Sequence, residues 1–269
     1  MVGVAIFSGD ALKGKHALIT GATGGIGRAT ALRIASMGAA VTITGRNAEK
    51  LNELQDELLQ RLPAAQVHAV AADLVVEEDR RRLIAEAEGR NGPISLLVNN
   101  AGVYRFGTVE ELSQADLEEL MRINFTAAVL LTQLVYRGMK QRREGAIVNV
   151  SSLSGLRGGY GHTAYAASKF ALIGFTHCLA VEAIKHNVRV NAVCPGFVDT
   201  EMGYDVIRRQ AAANRVSFEE QLERTNAGIP SGRITTPEEV ANAIAFLLTD
   251  AAANIVGESL KISGGAVLR

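Results

Sequence analysis

Short β-branched runs alternate along the chain with longer stretches of helical periodicity. The runs HALIT (16–20), AVTIT (40–44), QVHAVAAD (66–73), ISLLVNN (94–100), GAIVNVS (145–151), VRVNAVC (188–194) and ESLKIS (258–263) read as strands. Between them, helical patterns lie near 26–37, 47–61, 77–90, 113–139, 162–186 and 237–249. Alternation on this scale predicts parallel pairing through right-handed crossovers. The expected architecture is an α/β fold with a doubly wound, seven-stranded parallel sheet and helices on both faces. The strands are nearly continuous apolar runs, as strands covered on both faces should be. No linker, repeat or low-complexity break divides the chain, so one domain is expected over 1–269.

One segment leaves this rhythm. Residues 203–229, GYDVIRRQAAANRVSFEEQLERTNAGI, predict one or two amphipathic helices with a polar break near Asn214. An insertion at the carboxyl end of a strand in such a sheet lies over the ligand crevice, so this segment is expected to form a lid.

Composition narrows the field. Lys+Arg and Asp+Glu both number 28 in 269 residues, which gives no reason to expect a nucleic acid or an anionic membrane as partner. Cys178 and Cys194 form no CxxC, so no disulfide framework is expected and both read as small core residues. The five histidines are scattered, and no metal site is expected. His162 reads as a solvated turn residue with a place at a pocket mouth as its alternative, and EEDRRR (77–82) as a helix start with a solvated face. The opening MVGVAIFSGDALKGK is too short to span a bilayer and lacks the basic start of a signal peptide. No other stretch is expected to cross a membrane, and a cytoplasmic protein is the expectation.

ITGATGGIGRAT joins the first strand to the first helix. Its glycines Gly21, Gly25 and Gly27 permit a tight turn and close backbone approach to a pyrophosphate, with the helix N-terminus behind them. A carboxylate closing the second strand would hold the adenosine ribose of NAD. The sequence there is TITGRN: Gly45 takes the acid's place and Arg46 follows. Loss of the carboxylate and gain of a guanidinium favour a 2′-phosphate, hence NADP(H) over NAD(H).

Further motifs occur in order: DL (73–74), NNAG (99–102), Asn124 within RINF, IVNVSS (147–152), YAASK (165–169), NAVCPGFVDT (191–200) and SGG (263–265). Together with TGATGGIG (20–27) they make the chain resemble the short-chain dehydrogenase/reductase family, whose fold is a Rossmann domain. Within that family it is most similar to ketoreductases acting on acyl or polyketide chains. The resemblance implies a catalytic tetrad of Asn124, Ser152, Tyr165 and Lys169. Ser152 is preferred to Ser151 because the family's serine precedes its tyrosine by thirteen residues. The implied cofactor contacts are Gly21, Thr23, Gly25, Ile26 and Gly27, Arg46, Asp73 and Leu74 near the adenine, and Asn99, Asn100, Ala101 and Gly102 along the channel. Tyr165 and Lys169 join them, as do Pro195, Gly196, Val198 and Thr200 around the nicotinamide amide. One departure stands out: members preferring NADP often carry a basic residue before the second glycine of the turn, where this chain has Gly24.

Tyr165 and Lys169 are one helical turn apart and share a face. A free phenol has a pKa of about 10, and an adjacent ammonium should bring it down toward neutrality. By analogy with the family, Lys169 also binds the nicotinamide ribose, Asn124 holds a relay water and Ser152 steadies the substrate oxygen. The implied reaction is hydride transfer between NADPH and a ketone or secondary alcohol, most of all a 3-oxoacyl thioester. Arg208, Arg209, Arg215 and Arg224 would meet its phosphates, and Val206, Ile207, Val216, Phe218 and Leu222 would cover its acyl chain. The competing readings are an NAD-dependent dehydrogenase of a cyclic or aromatic secondary alcohol, and a silent dinucleotide-binding regulator. Family members are commonly homotetramers, packing through 113–139, 162–186 and the last strand; a homodimer is the alternative.

Overall fold

The computed structural model describes residues 8–268. Most of the apolar opening segment, residues 1–7, lies outside them. Seven strands form one parallel sheet in the order β3-β2-β1-β4-β5-β6-β7. They are β1 (His16–Thr20), β2 (Ala40–Gly45), β3 (Val67–Ala71), β4 (Leu96–Asn99), β5 (Gly145–Val150), β6 (Val188–Pro195) and β7 (Ser259–Ile262). The sheet is the doubly wound one the alternation predicts. The direction of winding reverses between β3 and β4, leaving a crevice beyond the carboxyl ends of β1 and β4.

Side chains alternate across β1, and this separates the core into two layers. Ala17 and Ile19 pack with α1 (Gly25–Ser36), α2 (Ala48–Arg61) and α9 (Pro237–Leu248). Leu18 faces the other way, toward α3 (Glu77–Asn91), α5 (Ala127–Arg142) and α6 (Thr163–Ala183). All five residues of β1 are buried, as a central strand requires. Within α3, Arg80 departs from the expected solvated face: it is buried and donates to the Leu74 carbonyl at 2.7 Å.

The long helix expected over 113–139 is three pieces. Ser113 caps α4 (Gln114–Met121) through a reciprocal box with Asp116. A π-helical turn, Arg122–Thr126, follows and leads without a break into α5. Such turns hold one extra residue, and this one turns Asn124 into the interior.

Helix α6 with the 3₁₀ turn after it (Thr163–His186) is 24 residues and long and apolar enough by composition to cross a membrane, contrary to the sequence expectation. In the fold its inner face is instead a wall of the core, through Leu172, Ile173, Thr176, Leu179 and Ala183. Cys194 is buried, as expected, whereas Cys178 is exposed on the outer face of α6. The 203–229 segment forms α7 (Glu201–Asn214) and α8 (Phe218–Ala227), with the break at Arg215 in a left-handed conformation.

Candidate active site

Two cavities open beyond the carboxyl ends of the strands. The first, about 440 Å³, runs along the glycine-rich turn, the NNAG segment and the end of β2. The second, about 520 Å³, lies between the 151–162 segment and α7–α8. Ile26, Ser151, Tyr165, Thr200 and Met202 line both, so Tyr165 stands where the two meet. Volumes of this order accommodate cofactor-sized and small-substrate ligands.

The first cavity is shaped for an anionic dinucleotide. Gly21 has φ +61°, and a β-carbon there would stand 2.7 Å from the Ala101 Cα. At Gly27 an added Cβ would lie 2.3 Å from the Gly21 carbonyl oxygen, so glycine is required for the turn to fold against the helix. Gly24 caps α1 without a side-chain hydrogen bond, and the first turn carries no acid. Its N–H groups and positive dipole end are therefore left to a ligand. Gly21, Thr23, Gly25, Ile26, Arg46, Asp73, Leu74, Asn100, Ala101, Gly102, Tyr165, Lys169 and Thr200 all line this cavity. Arg46 is exposed and has no ion pair among the described residues. The Asn100 amide donates to the carbonyls of Thr20 and Gly21, both at 3.0 Å, and ties NNAG to the end of β1.

Several expected contacts fall elsewhere. Gly27 is buried behind the turn. Asn99 is buried in the core, donating to Thr132 Oγ1 at 2.9 Å and Asn149 Oδ1 at 2.8 Å, and lines neither cavity. Pro195, Gly196 and Val198 line the second cavity rather than the first. Residues the sequence reading passed over, among them Val75, Val103 and Ile123, complete the first cavity.

The four tetrad positions converge. Asn124 is clamped to Val103, accepting from its N–H at 2.8 Å and donating to its carbonyl at 2.9 Å, and it also donates to Ser168 Oγ. Its side chain fixes the segment after NNAG. The Lys169 ammonium donates to the Val150 carbonyl at 2.9 Å and lies 5.8 Å from the Tyr165 ring centre. The two candidate serines part company. Ser151 donates to the Lys169 carbonyl, while Ser152 lines the second cavity and accepts from the Ser154 N–H at 3.1 Å.

The electrostatics differ from the sequence expectation. Burial pushes the Tyr165 phenol up to about 12, with the Ser152 hydroxyl partly offsetting it. The ammonium lies under the ring and is itself brought down to about 8 by burial. Desolvation thus outweighs the Tyr–Lys attraction, and the phenol is held as a proton donor through the neutral range.

The second cavity also departs from expectation. His162 is half-buried, and burial lowers its pKa. It is one of the cavity's walls, with Tyr104, Leu153, Ser154 and Gln221. Of the five apolar positions assigned to the lid, only Val206 lines the cavity; Ile207 is fully buried beneath α7. Phe218 packs on Tyr204 and under Arg208. Arg208 is paired with Glu201 and Asp205, and Arg224 with Glu220, so these two cations are engaged within the helices. Arg224 alone of the four arginines lines the cavity.

Comparison with known proteins agrees with this geometry. Residues 15–211 match the family model for short chain dehydrogenase, and residues 156–269 one for an SDR-like Rossmann domain. The chain is 39% identical over 254 residues to a 3-oxoacyl-[acyl-carrier-protein] reductase of Aquifex aeolicus, covering 94% of this chain and 98% of the relative. A crystal structure of actinorhodin polyketide ketoreductase with NADPH superposes with a TM-score of 0.90 at 35% identity, covering 94% of this chain and 97% of that one. NAD⁺-bound xylitol dehydrogenase superposes with a TM-score of 0.89 at 30% identity, covering 94% and 99%.

Proposed function

Because the chain belongs to the short-chain dehydrogenase family, we propose that it is an NADPH-dependent carbonyl reductase acting on 3-oxoacyl thioesters. One observation carries the reading: Tyr165 stands at the junction of a cavity fitted to a dinucleotide and a cavity able to hold a carbonyl compound. The 3-oxoacyl reductase and polyketide ketoreductase among its relatives support the substrate class. NADPH in the polyketide ketoreductase structure, and an unpaired Arg46 where an NAD enzyme would carry an acid, support the cofactor.

When bound, NADPH supplies a hydride to the carbonyl carbon and is oxidised. The glycine turn and the bare start of α1 hold its diphosphate, and Arg46 its 2′-phosphate. Tyr165 donates its phenolic proton to the substrate oxygen as charge develops there, leaving a phenolate beside the Lys169 ammonium. Ser152 donates a hydrogen bond to the same oxygen. Asn124 holds the 103 segment so that these groups keep their spacing. A positioned acid of this kind contributes about 10²- to 10⁴-fold.

Helices α7 and α8 act as the lid of the second cavity in this reading. The single domain is cytoplasmic and tetrameric. Exposed Phe170, Val181 and Ile184 on and after α6, and Leu260 on β7, support self-association, which a sedimentation mass of four chains would establish. The function itself is tested by comparing kcat/KM for acetoacetyl-coenzyme A and for a free cyclic ketone with NADPH. The thioester should be preferred; a ratio below one replaces it with a cyclic carbonyl or alcohol as substrate.

A further inference from the structure

Three side chains in the second cavity have no part in the chemistry above. The Tyr104 hydroxyl lies 3.3 Å from His162 Nε2, and Ser154 Oγ lies 3.2 Å from His162 Nδ1. All three residues line the cavity. The Tyr104 ring meets the Tyr165 ring edge-on, with centres 5.1 Å apart, so this group is adjacent to the proton donor. The placement is rigid. The Gly107 N–H donates to the Gly161 carbonyl at 2.9 Å, tying the segment after Tyr104 to the one before His162. Phe106 covers Gly161 so closely that an added Cβ there would meet the ring at 2.0 Å. His162 precedes α6 yet makes no capping bond with its side chain; its ring is spent on Tyr104 and Ser154.

A count of protons shows what this chain of groups can offer. A neutral imidazole carries one hydrogen, and each hydroxyl carries one. Two links consume two hydrogens, so one remains over at an end of the chain. With Ser154 donating to Nδ1 and Nε2–H donating to the Tyr104 oxygen, the spare hydrogen is the Tyr104 phenolic proton, next to Tyr165. Burial lowers the His162 pKa and raises that of Tyr104, which keeps the imidazole neutral and the phenol protonated. The backbone N–H of Ser154 meanwhile donates to Ser152 Oγ, so the same short turn sets both stations.

We propose that Tyr104 is a second substrate-binding residue, whose hydroxyl holds an oxygen of the substrate other than the carbonyl being reduced, with His162 as its positioning residue. The ligand class is a ketone bearing a second acceptor oxygen close by, as in a 3-oxo ester or 3-oxo thioester. This deepens the reading above and rests on its assignment of Tyr165 to the reducible carbonyl.

The test measures kcat/KM with NADPH for acetoacetyl-coenzyme A, ethyl acetoacetate and 2-hexanone. Ethyl acetoacetate keeps the second oxygen without the coenzyme arm, and 2-hexanone lacks both. In Tyr104→Phe, which keeps the ring against Tyr165, the ratio of ethyl acetoacetate to 2-hexanone should fall about five- to tenfold, the effect of one neutral hydrogen bond. His162→Phe should lower the same ratio about threefold, and His162→Gln, which retains a donor for Tyr104, should restore most of it. A Tyr104→Phe ratio within twofold of wild type overturns the proposal. A wild-type preference for 2-hexanone over acetoacetyl-coenzyme A would instead overturn the thioester reading, and the ester ratio would still decide the role of Tyr104.

Discussion

Along the first cavity, Gly21, Gly25, Ala101 and Gly102 present main chain, and at Gly21 a β-carbon would collide with backbone at Ala101. Around the second, Tyr104, Leu153, His162, Val206 and Gln221 present side chains. A wall of backbone can be altered only by moving the chain, so its residue types are dictated by geometry. A wall of side chains can be rebuilt one residue at a time on an unchanged frame. The two cavities thus divide what is common to an oxidoreductase fold from what selects a substrate, and Tyr165 belongs to both.

The comparison breaks most completely at Tyr165. Tyr165→Phe keeps the ring between the cavities and removes the proton, so kcat should drop by at least about 100-fold while NADPH affinity stays near wild type. Single-turnover rates together with cofactor fluorescence titration check this, and retention of a tenth of wild-type kcat would remove Tyr165 from the mechanism.

Arg46→Ala isolates the first cavity. A charge-assisted pair with phosphate is worth about 1.5–3 kcal/mol, so NADPH binding should weaken about ten- to a hundredfold. NADH binding should hardly change, and the relative kcat/KM of different carbonyl substrates should stay as it was. Titration with each cofactor decides it; equal losses would mean that Arg46 supports the loop and not the phosphate.

The smallest effect is in pH. Lys169 is brought down to about 8 by burial, so its positive charge is present below that pH and lost above it. Tyr165 stays protonated up to about 12 and does not limit proton donation in this window. Reduction at saturating cofactor should be flat up to about pH 7 and fall about tenfold by pH 9 as the ammonium discharges. A profile that stays level to pH 10 would show that the reaction does not need that charge.

The same division explains what could be read from the sequence. Strand–helix alternation is a physical signal, since a strand covered on both faces must be apolar throughout, and it yielded the sheet. Gly21, Gly25 and Arg46 could be recognised because a turn against phosphate tolerates few alternatives. The lid arginines could not be assigned this way. Glu201, Asp205 and Glu220 lie within seven residues of Arg208 and Arg224, and whether such charges pair with one another or with a ligand depends on side-chain directions. Ile207 and Val206 are neighbours on one helix, yet one faces the interior and the other the cavity. Tyr104 gave no signal beyond its place two residues after NNAG. The depressed Lys169 and raised Tyr165 were missed because spacing reveals proximity and not desolvation, and here desolvation is larger.

The π-helical turn at Arg122–Thr126 has a consequence for how this chain tolerates change in length. It carries a residue beyond the regular helical count, and Asn124 points inward because of it. Deleting one residue there would restore a regular helix and rotate all that follows by about 100°. Leu131, Val135 and Met139, which face the sheet, would swing away from it. The surplus residue is therefore the one that the core cannot give up, and a deletion at this turn would damage folding and Asn124 together, whereas the break between α7 and α8 at Arg215 can gain or lose residues without touching either.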